Sequence, residues 1–180
     1  HTIVDHYTYA IVTDGDLMEG VASEAASLAG HLKLNKLIYF YDDNEISIDG
    51  STDLAFTEDR QKRFIAYGWH VSQVDDPYDV NALVAAVEAA KEDPRPSLIV
   101  VKTTIGQGLP TVEGTEKAHG SPPGWDEIAQ AKKNADWPAD EKFYIPDDMR
   151  EHFLSKIEDG RLLEESWKKK LDAYREDFPE

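Results

Sequence analysis

Short apolar runs alternate with amphipathic segments along most of the chain, in the pattern typical of strands followed by helices. Four runs rich in aromatic and β-branched residues predict strands at Tyr7–Thr13, Lys36–Tyr41, Trp69–Val74 and Ser97–Thr104. Apolar residues recur at helical spacing over Leu17–Leu34, Asp59–Tyr67 and Asp79–Lys91. Thr57 is the predicted cap of the second of these helices. Because this alternation builds βαβ units, we predict an α/β fold with a parallel sheet flanked by helices.

The remainder of the chain has a different pattern. Gly106–Gly124 contains five glycines and three prolines without periodicity, and a loop of that length in a compact domain is often functional. Helical patterns return at Trp125–Asn134 and, after a proline-containing connector, in the highly charged segment Asp147–Tyr174. We expect one or two helices there, with a break at Gly160. These patterns predict an α/β domain over residues 1–135 and a helical connector over 136–180, leading to a further domain.

Charge and composition exclude several classes of function. The formal net charge of −17 disfavours nucleic acid and anionic membrane surfaces, which bind through Lys and Arg. The chain contains no cysteine, so disulfides and thiolate chemistry are excluded. The apolar runs are too short to span a bilayer, and we expect a cytoplasmic protein. Since the chain opens at His1, next to a predicted strand, we also expect it to be a fragment of a longer protein.

Polar residues follow the first two predicted strands. Asp14-Gly15-Asp16 ends the first strand, and Asn44, thirty residues after Asp14, follows the second. Ligands of parallel sheets bind at the carboxyl ends of the strands, and Asp14, Asn44 and a backbone carbonyl would offer three oxygen ligands to Mg²⁺. Diphosphate oxygens and water would complete six-fold coordination. The alternative is two unrelated acidic turns, each exposed to solvent.

The sequence segments around these residues resemble those of a known family. In chain order they are DGDLMEG from Asp14, EAASLAGHLKL from Glu24, YDDNEISIDG from Tyr41, AYGW from Ala66, TTIG from Thr103 and HGSP from His119. Together they resemble the transketolases, over essentially the whole chain. The resemblance implies the diphosphate-binding domain of a thiamine diphosphate fold, with residues 1–135 as its C-terminal part.

The resemblance implies a metal site that binds Mg²⁺ or Ca²⁺. Asp14 matches the metal-binding aspartate, and Asn44 matches the asparagine that binds both the metal and the cofactor. Ile46 matches the residue whose backbone carbonyl binds the metal. Gly15 matches the glycine whose N–H contacts the diphosphate of thiamine diphosphate.

Further positions follow from the same resemblance. Ile48 matches an apolar residue near the thiazolium ring of the cofactor. His119 matches a catalytic histidine that contacts the diphosphate and the donor sugar. Glu19 matches an acidic residue of the subunit interface, which implies a homodimer. Thr13 departs from the family, which normally has Gly before the metal aspartate, so its side chain could crowd the diphosphate.

The implied activity is transfer of a two-carbon ketol unit between sugar phosphates of the pentose phosphate pathway. Because other parts of the family's active site lie outside this sequence, we expect this chain alone to be inactive.

Three alternatives remain open at this point. Dihydroxyacetone synthase shares the motifs and differs mainly in its acceptor. A non-catalytic half-subunit that needs a partner chain is also compatible. A phosphohydrolase of the haloacid dehalogenase type would use Asp14-Gly15-Asp16, but Leu17-Met18 fits its motif poorly.

Overall fold

The computed structural model describes residues 2–179. Its strands are β1 (Thr8–Thr13), β2 (Leu37–Asp43), β3 (Ile46–Ser47), β4 (Gly50–Ser51), β5 (His70–Val74) and β6 (Ser97–Lys102). Its helices are α1 (Asp14–Met18), α2 (Gly20–His31), α3 (Arg60–Ala66), α4 (Val80–Glu92), α5 (Lys117–Gly120), α6 (Trp125–Asn134) and α7 (Asp147–Asp177). A short 3₁₀ turn occupies Thr52–Leu54. The chain forms two compact units, Tyr7–Ala139 and a second made of the described residues up to His6 and from Asp140.

The predicted parallel sheet is confirmed. Strands β1, β2, β6 and β5 lie side by side in that order, and every neighbouring pair is parallel. Thr13 pairs with Asp42 and Asp43 pairs with Lys102, so the carboxyl ends of three strands lie at one edge of the sheet. The small β3–β4 hairpin follows β2 directly and brings Ile46 opposite Ser51.

Each face of the sheet packs against its own apolar cluster. The first cluster includes Leu17, Ala26, Ala29, Tyr41, Phe56, Phe64, Trp69, Leu98 and Val100, and so joins α1, α2 and α3 to the sheet. The second cluster lies on the opposite face and includes Ile38, Val74, Ala90, Ile99 and Val101. Strand β6 is buried from Ser97 to Val101, which explains its continuous apolar sequence.

Local differences from the prediction have identifiable causes. The turn after β1 is itself a short helix, α1, and Glu19 separates it from α2 because its backbone is extended (φ −69°, ψ 134°). The predicted Thr57 cap is wrong: Asp59 caps α3, its carboxylate accepting the N–H of Lys62 at 2.9 Å. The glycine-rich loop contains α5, which the absence of periodicity did not reveal.

The second unit is built on α7. The helix runs through Gly160 without a break, so the expected interruption there is wrong. Within this unit the indole N–H of Trp167 donates to the carbonyl of Ile3 at 3.0 Å. None of the helices in residues 2–179 combines the length and the apolar character that a membrane span requires.

Candidate functional site

Asp14 is a buried carboxylate at the carboxyl end of β1. It is the first residue of α1, and only 1% of its surface is exposed. The hydroxyl of Tyr41 donates a hydrogen bond to its Oδ1 atom. Oδ2 is equally buried and has no hydrogen-bond partner among the described residues. Since a buried charged oxygen is costly to leave unpaired, Oδ2 is the atom of this region best placed to bind a cation.

The electrostatic surroundings of Asp14 are mixed. Burial, and then the nearby carboxylate of Asp43, raise the pKa of Asp14 above its ordinary value. The hydrogen bond from Tyr41, the Arg60 guanidinium and the backbone N–H of Glu45 act in the opposite direction and lower that pKa. Burial dominates, so the site favours an additional positive charge beside Asp14.

Asn44 lies just after β2, and hydrogen bonds at both its amide oxygen and its amide nitrogen fix the orientation of its side chain. Its Oδ1 accepts the backbone N–H of Ile46 at 3.0 Å, and its Nδ2 donates to Oδ2 of Asp42 at 3.3 Å. The hydroxyl of Thr103, at the end of β6, donates to the other oxygen of Asp42. An amide oxygen has two lone pairs, so Asn44 Oδ1 can accept this N–H and still bind a cation.

Gly15 leaves open space next to Asp14. A Cβ atom there would have Thr13 Oγ1, at 3.9 Å, as its nearest neighbour, so packing within the chain does not require glycine. Thr13, which stands where the resemblance leads one to expect glycine, is bound to Asp16. Its N–H and its hydroxyl donate to Asp16 Oδ2 at 2.8 and 3.0 Å. The hydroxyl of Thr13 is therefore engaged within the turn.

The remaining predicted positions are on the surface. Ile48 follows β3 and is 70% exposed. His119 is an exposed residue of α5 whose backbone N–H donates to the carbonyl of Glu116 at 3.0 Å. Glu19 is exposed between α1 and α2. Of the predicted positions, the ends of β1 and β2 carry Asp14 and Asn44, whereas His119 lies on α5, in the loop that follows β6.

A charged network that the sequence did not predict lies behind Asp14. Arg60 Nε donates to the hydroxyl of Tyr41 at 3.0 Å, and Arg60 Nη2 donates to Asp43 Oδ1 at 3.1 Å. Lys102 Nζ lies 2.6 Å from the other oxygen of Asp43. Alternation along β2 could have placed Tyr41 and Asp43 on one face. No local pattern indicates that Arg60, at the start of α3, reaches them.

A cavity of about 840 Å³ opens beside Asn44. Its polar lining includes Asp42, Asn44 and Thr103 near the strand ends, and most of its remaining lining is apolar, with Ile11 of β1 and Phe40 of β2 among the residues. The cavity therefore borders the same edge of the sheet and is large enough for a small organic ligand.

The arrangement suits a hard cation with oxygen ligands. In the described part of the chain, no three His, Cys, Asp or Glu side chains group as a metal site. One carboxylate, one amide and one backbone carbonyl would instead leave half of an octahedral coordination sphere for ligand oxygens. The unpaired, buried Oδ2 of Asp14 fits that role.

Comparison with known proteins identifies relatives over the whole chain. A family model described as transketolase, thiamine diphosphate binding domain, matches residues 1–180. The chain is 47% identical over 180 residues to a transketolase of Halalkalibacterium halodurans and 51% identical over 180 residues to transketolase 2 of Aliivibrio fischeri. In both cases all of this chain aligns with 27% of the relative, so it spans about a quarter of their length.

A solved structure shows the same fold. The structure is a transketolase from Pichia stipitis in complex with sedoheptulose-7-phosphate, and it superimposes with a TM-score of 0.90 at 42% identity. The match covers 98% of this chain and 26% of that protein.

Proposed function

The chain belongs to the transketolase family, and we propose that it forms the metal–diphosphate part of the thiamine diphosphate site in an enzyme that transfers two-carbon ketol units between sugar phosphates. The observation that carries this proposal is the buried Oδ2 of Asp14, which has no hydrogen-bond partner in the described chain. Because this chain spans 27% of the length of its relatives, the activity is proposed for the whole protein that carries it.

The metal is Mg²⁺, with Ca²⁺ able to replace it. We assign Asp14 Oδ2, Asn44 Oδ1 and the carbonyl of Ile46 as its ligands from the protein. The adjacent ends of β1 and β2 and the orientation of the Asn44 amide support this assignment. Oxygens of the diphosphate and of water would supply the rest of the coordination that Mg²⁺ prefers.

The cofactor is held by residues around the metal. We assign Gly15 to bind the diphosphate through its backbone N–H. The space beside it is open, since a Cβ atom there would meet only Thr13 Oγ1, at 3.9 Å. Ile48, 70% exposed, is assigned to cover the thiazolium ring. When bound, thiamine diphosphate supplies the electron sink that cleavage of a carbon–carbon bond next to a carbonyl requires.

His119 is the proposed catalytic residue of this chain. It lies in the segment that follows β6 and begins with Thr103. Its imidazole is exposed and so can donate a hydrogen bond to the diphosphate and to oxygens of the donor sugar. A related transketolase was crystallised with sedoheptulose-7-phosphate, which supports sugar phosphates as the substrates.

The remaining assignments concern the organisation of the whole protein. Residues 1–135 are proposed as the C-terminal part of the diphosphate-binding domain, and residues 136–180 as a connector. The exposed Glu19 is assigned to the interface of a homodimer. We also propose a place in the cytoplasm, with which the acidic, cysteine-free sequence is compatible. A role in the pentose phosphate pathway is proposed from the ketol transfer between sugar phosphates.

Calorimetry on the whole protein tests the metal–diphosphate site. Thiamine diphosphate is titrated with and without Mg²⁺ into the wild type, into Asp14→Ala and into Asp53→Ala, an exposed aspartate outside the site. We expect Mg²⁺-dependent binding that Asp14→Ala abolishes and Asp53→Ala retains. Equal binding by wild type and Asp14→Ala would refute the assignment of the metal site.

Turnover tests the reaction and the role of His119. The wild type should form sedoheptulose phosphate from two pentose phosphates, and His119→Ala should lose at least about 100-fold in turnover, the lower end of what general acid–base catalysis contributes. His31→Ala, which removes an exposed histidine of α2, is the matched control. A wild-type protein without ketol transfer would contradict the proposed function.

A further inference from the structure

We propose that Tyr41 and Arg60 are positioning residues that hold the Asp14 carboxylate so that Oδ2 alone faces the metal. The inference rests on the proposed metal site and adds two residues to it. Neither belongs to the ligand set of Asp14, Asn44 and Ile46. Both act through Asp14, from the side of the carboxylate away from the cation.

Tyr41 makes the two oxygens of Asp14 inequivalent. Its hydroxyl donates to Oδ1, while Oδ2 has no partner among the described residues. Tyr41 and Asp14 are each 1% exposed, so solvent cannot replace this hydrogen bond. Without the hydroxyl, the carboxylate could rotate or bind the cation through both oxygens. The hydrogen bond therefore selects a single ligand atom and a single orientation.

Arg60 in turn fixes the hydroxyl of Tyr41. Because Arg60 Nε donates to the phenol oxygen at 3.0 Å, the proton of that hydroxyl is directed toward Asp14. The guanidinium is itself held from two sides. Arg60 Nη2 donates to Asp43 at 3.1 Å, and the guanidinium carbon lies 5.3 Å from the ring centroid of Phe56. Its side chain is only 15% exposed, so it has little freedom to move.

The charge arrangement explains why the Arg60 guanidinium does not occupy the metal position, although it lies near the Asp14 carboxylate. Arg60 Nη2 lies 4.0 Å from Asp14, and it approaches Oδ1, not Oδ2. Its 3.1 Å contact is with Asp43, which also pairs with Lys102 at 2.6 Å. The guanidinium is therefore committed to Asp43 and Tyr41, and Oδ2 stays available. Groups behind a metal ligand commonly change metal affinity by 10- to 100-fold.

The test is made on the whole protein, with Mg²⁺ titrated by calorimetry at a fixed, saturating concentration of thiamine diphosphate. Tyr41→Phe removes only the hydroxyl. Arg60→Gln removes the guanidinium, whose Nε donates to that hydroxyl and whose Nη2 donates to Asp43. Tyr39→Phe is the matched control for the first, because Tyr39 lies on the same face of β2 and packs on Trp69 with ring centroids 5.1 Å apart. Arg63→Gln is the control for the second.

Arg63 is a suitable control because it lies on the same helix with a similar exposure of 18%. Its guanidinium binds the carbonyl of Leu17 at 3.1 Å and not Tyr41 or Asp43. We expect Tyr41→Phe and Arg60→Gln to weaken Mg²⁺ binding by about 10- to 100-fold. Both controls should stay within about twofold of wild type, and Arg60→Lys should be intermediate because it restores the charge without the fork.

A second readout separates positioning from general stability. Urea midpoints are measured for each variant with and without Mg²⁺ and thiamine diphosphate. A merely structural role lowers both midpoints equally, whereas a positioning role reduces the increase that the ligands produce. If Tyr41→Phe does not fold, Arg60→Gln decides the outcome, since Arg60 is the more exposed of the two residues.

The outcomes distinguish this inference from the proposed function. Wild-type affinity for Mg²⁺ in Arg60→Gln and in any folded Tyr41→Phe protein would overturn the positioning role and leave the metal site intact. A wild-type protein that binds thiamine diphosphate without any dependence on Mg²⁺ would overturn the metal site itself.

Discussion

A Cβ atom added to Gly30 would lie 1.8 Å from the carbonyl oxygen of Tyr67. Gly30 is near the end of α2 and Tyr67 is the C-cap of α3, so the two helices approach closely at this point. The backbone of Tyr67 cannot move freely, because its N–H is bound to the carbonyl of Arg63 at 3.1 Å. Only a residue without a side chain fits between the helices.

Gly30→Ala is therefore expected to lower the free energy of unfolding by at least about 3 kcal/mol, at the upper end of the range for overpacked cores. Urea denaturation of the whole protein measures this loss. The control is Gly20→Ala in the same helix, where an added Cβ atom meets nothing within 4 Å and where we expect a change below about 1 kcal/mol. Equal stability of the two variants would contradict the close approach.

The sequence predicted the main elements because strands and long helices have strong periodic signals. The four predicted strands are those of the sheet, and β2 runs two residues beyond its predicted end at Tyr41 because its pairing with β6 continues to Asp43 and Lys102. Boundaries set by local geometry were less predictable. Asp59, not Thr57, caps α3, and both have side chains that can cap a helix.

The candidate site was predictable only in part, for a different reason. Asp14 and Asn44 follow β1 and β2, which pair directly in the sheet, so the parallel topology places both residues at the same edge. Arg60 reaches Tyr41 across 19 residues and Asp43 across 17, and both contacts depend on how α3 packs. Such contacts leave no periodic signal in the sequence, and they emerge only from the tertiary structure.

Replacing Gly160 by alanine is expected to raise stability, in contrast to the loss expected for Gly30→Ala. Gly160 lies within the continuous helix α7, and an added Cβ atom would meet nothing within 4 Å. Since glycine costs about 1 kcal/mol relative to alanine in a helix interior, Gly160→Ala should stabilise α7 by about that amount. Slower amide hydrogen exchange in residues around position 160 would show this effect. Faster exchange would mean that the glycine serves a purpose other than helix formation.

The ion pair between Asp93 and Arg95 predicts a pH-dependent contribution to stability. Arg95 Nε and Nη2 donate to the two oxygens of Asp93 at 2.9 and 2.8 Å, and chiefly this bonding lowers the pKa of Asp93 from 3.8 to about 2. Because the folded pKa is the lower one, the stabilisation is complete above the unfolded value of 3.8 and is lost as the pH falls toward about 2.

Arg95→Gln should therefore cost about 1 kcal/mol near neutral pH, a modest value because the Arg95 side chain is 46% exposed. The difference from wild type should shrink as the pH falls below about 4. Urea midpoints of both proteins across that range measure it, together with an NMR titration of the Asp93 carboxyl carbon. A difference that stays constant with pH would show that the ion pair is not its source.

Thr103 is expected to influence the metal site through two hydrogen bonds in series. Its hydroxyl donates to one oxygen of Asp42, whose other oxygen accepts Nδ2 of Asn44 at 3.3 Å. Thr103→Val keeps the shape of the side chain but removes the donor, so Asp42 and then the amide of Asn44 lose their fixed orientation.

We expect about tenfold weaker Mg²⁺-dependent binding of thiamine diphosphate in Thr103→Val, the lower side of the range for groups behind a metal ligand. Calorimetry on the whole protein measures this, with Thr8→Val as control because Thr8 is exposed at the opposite end of β1 from Asp14. Unchanged affinity in Thr103→Val would show that Asn44 is held in place by the N–H of Ile46, at 3.0 Å, without help from Asp42.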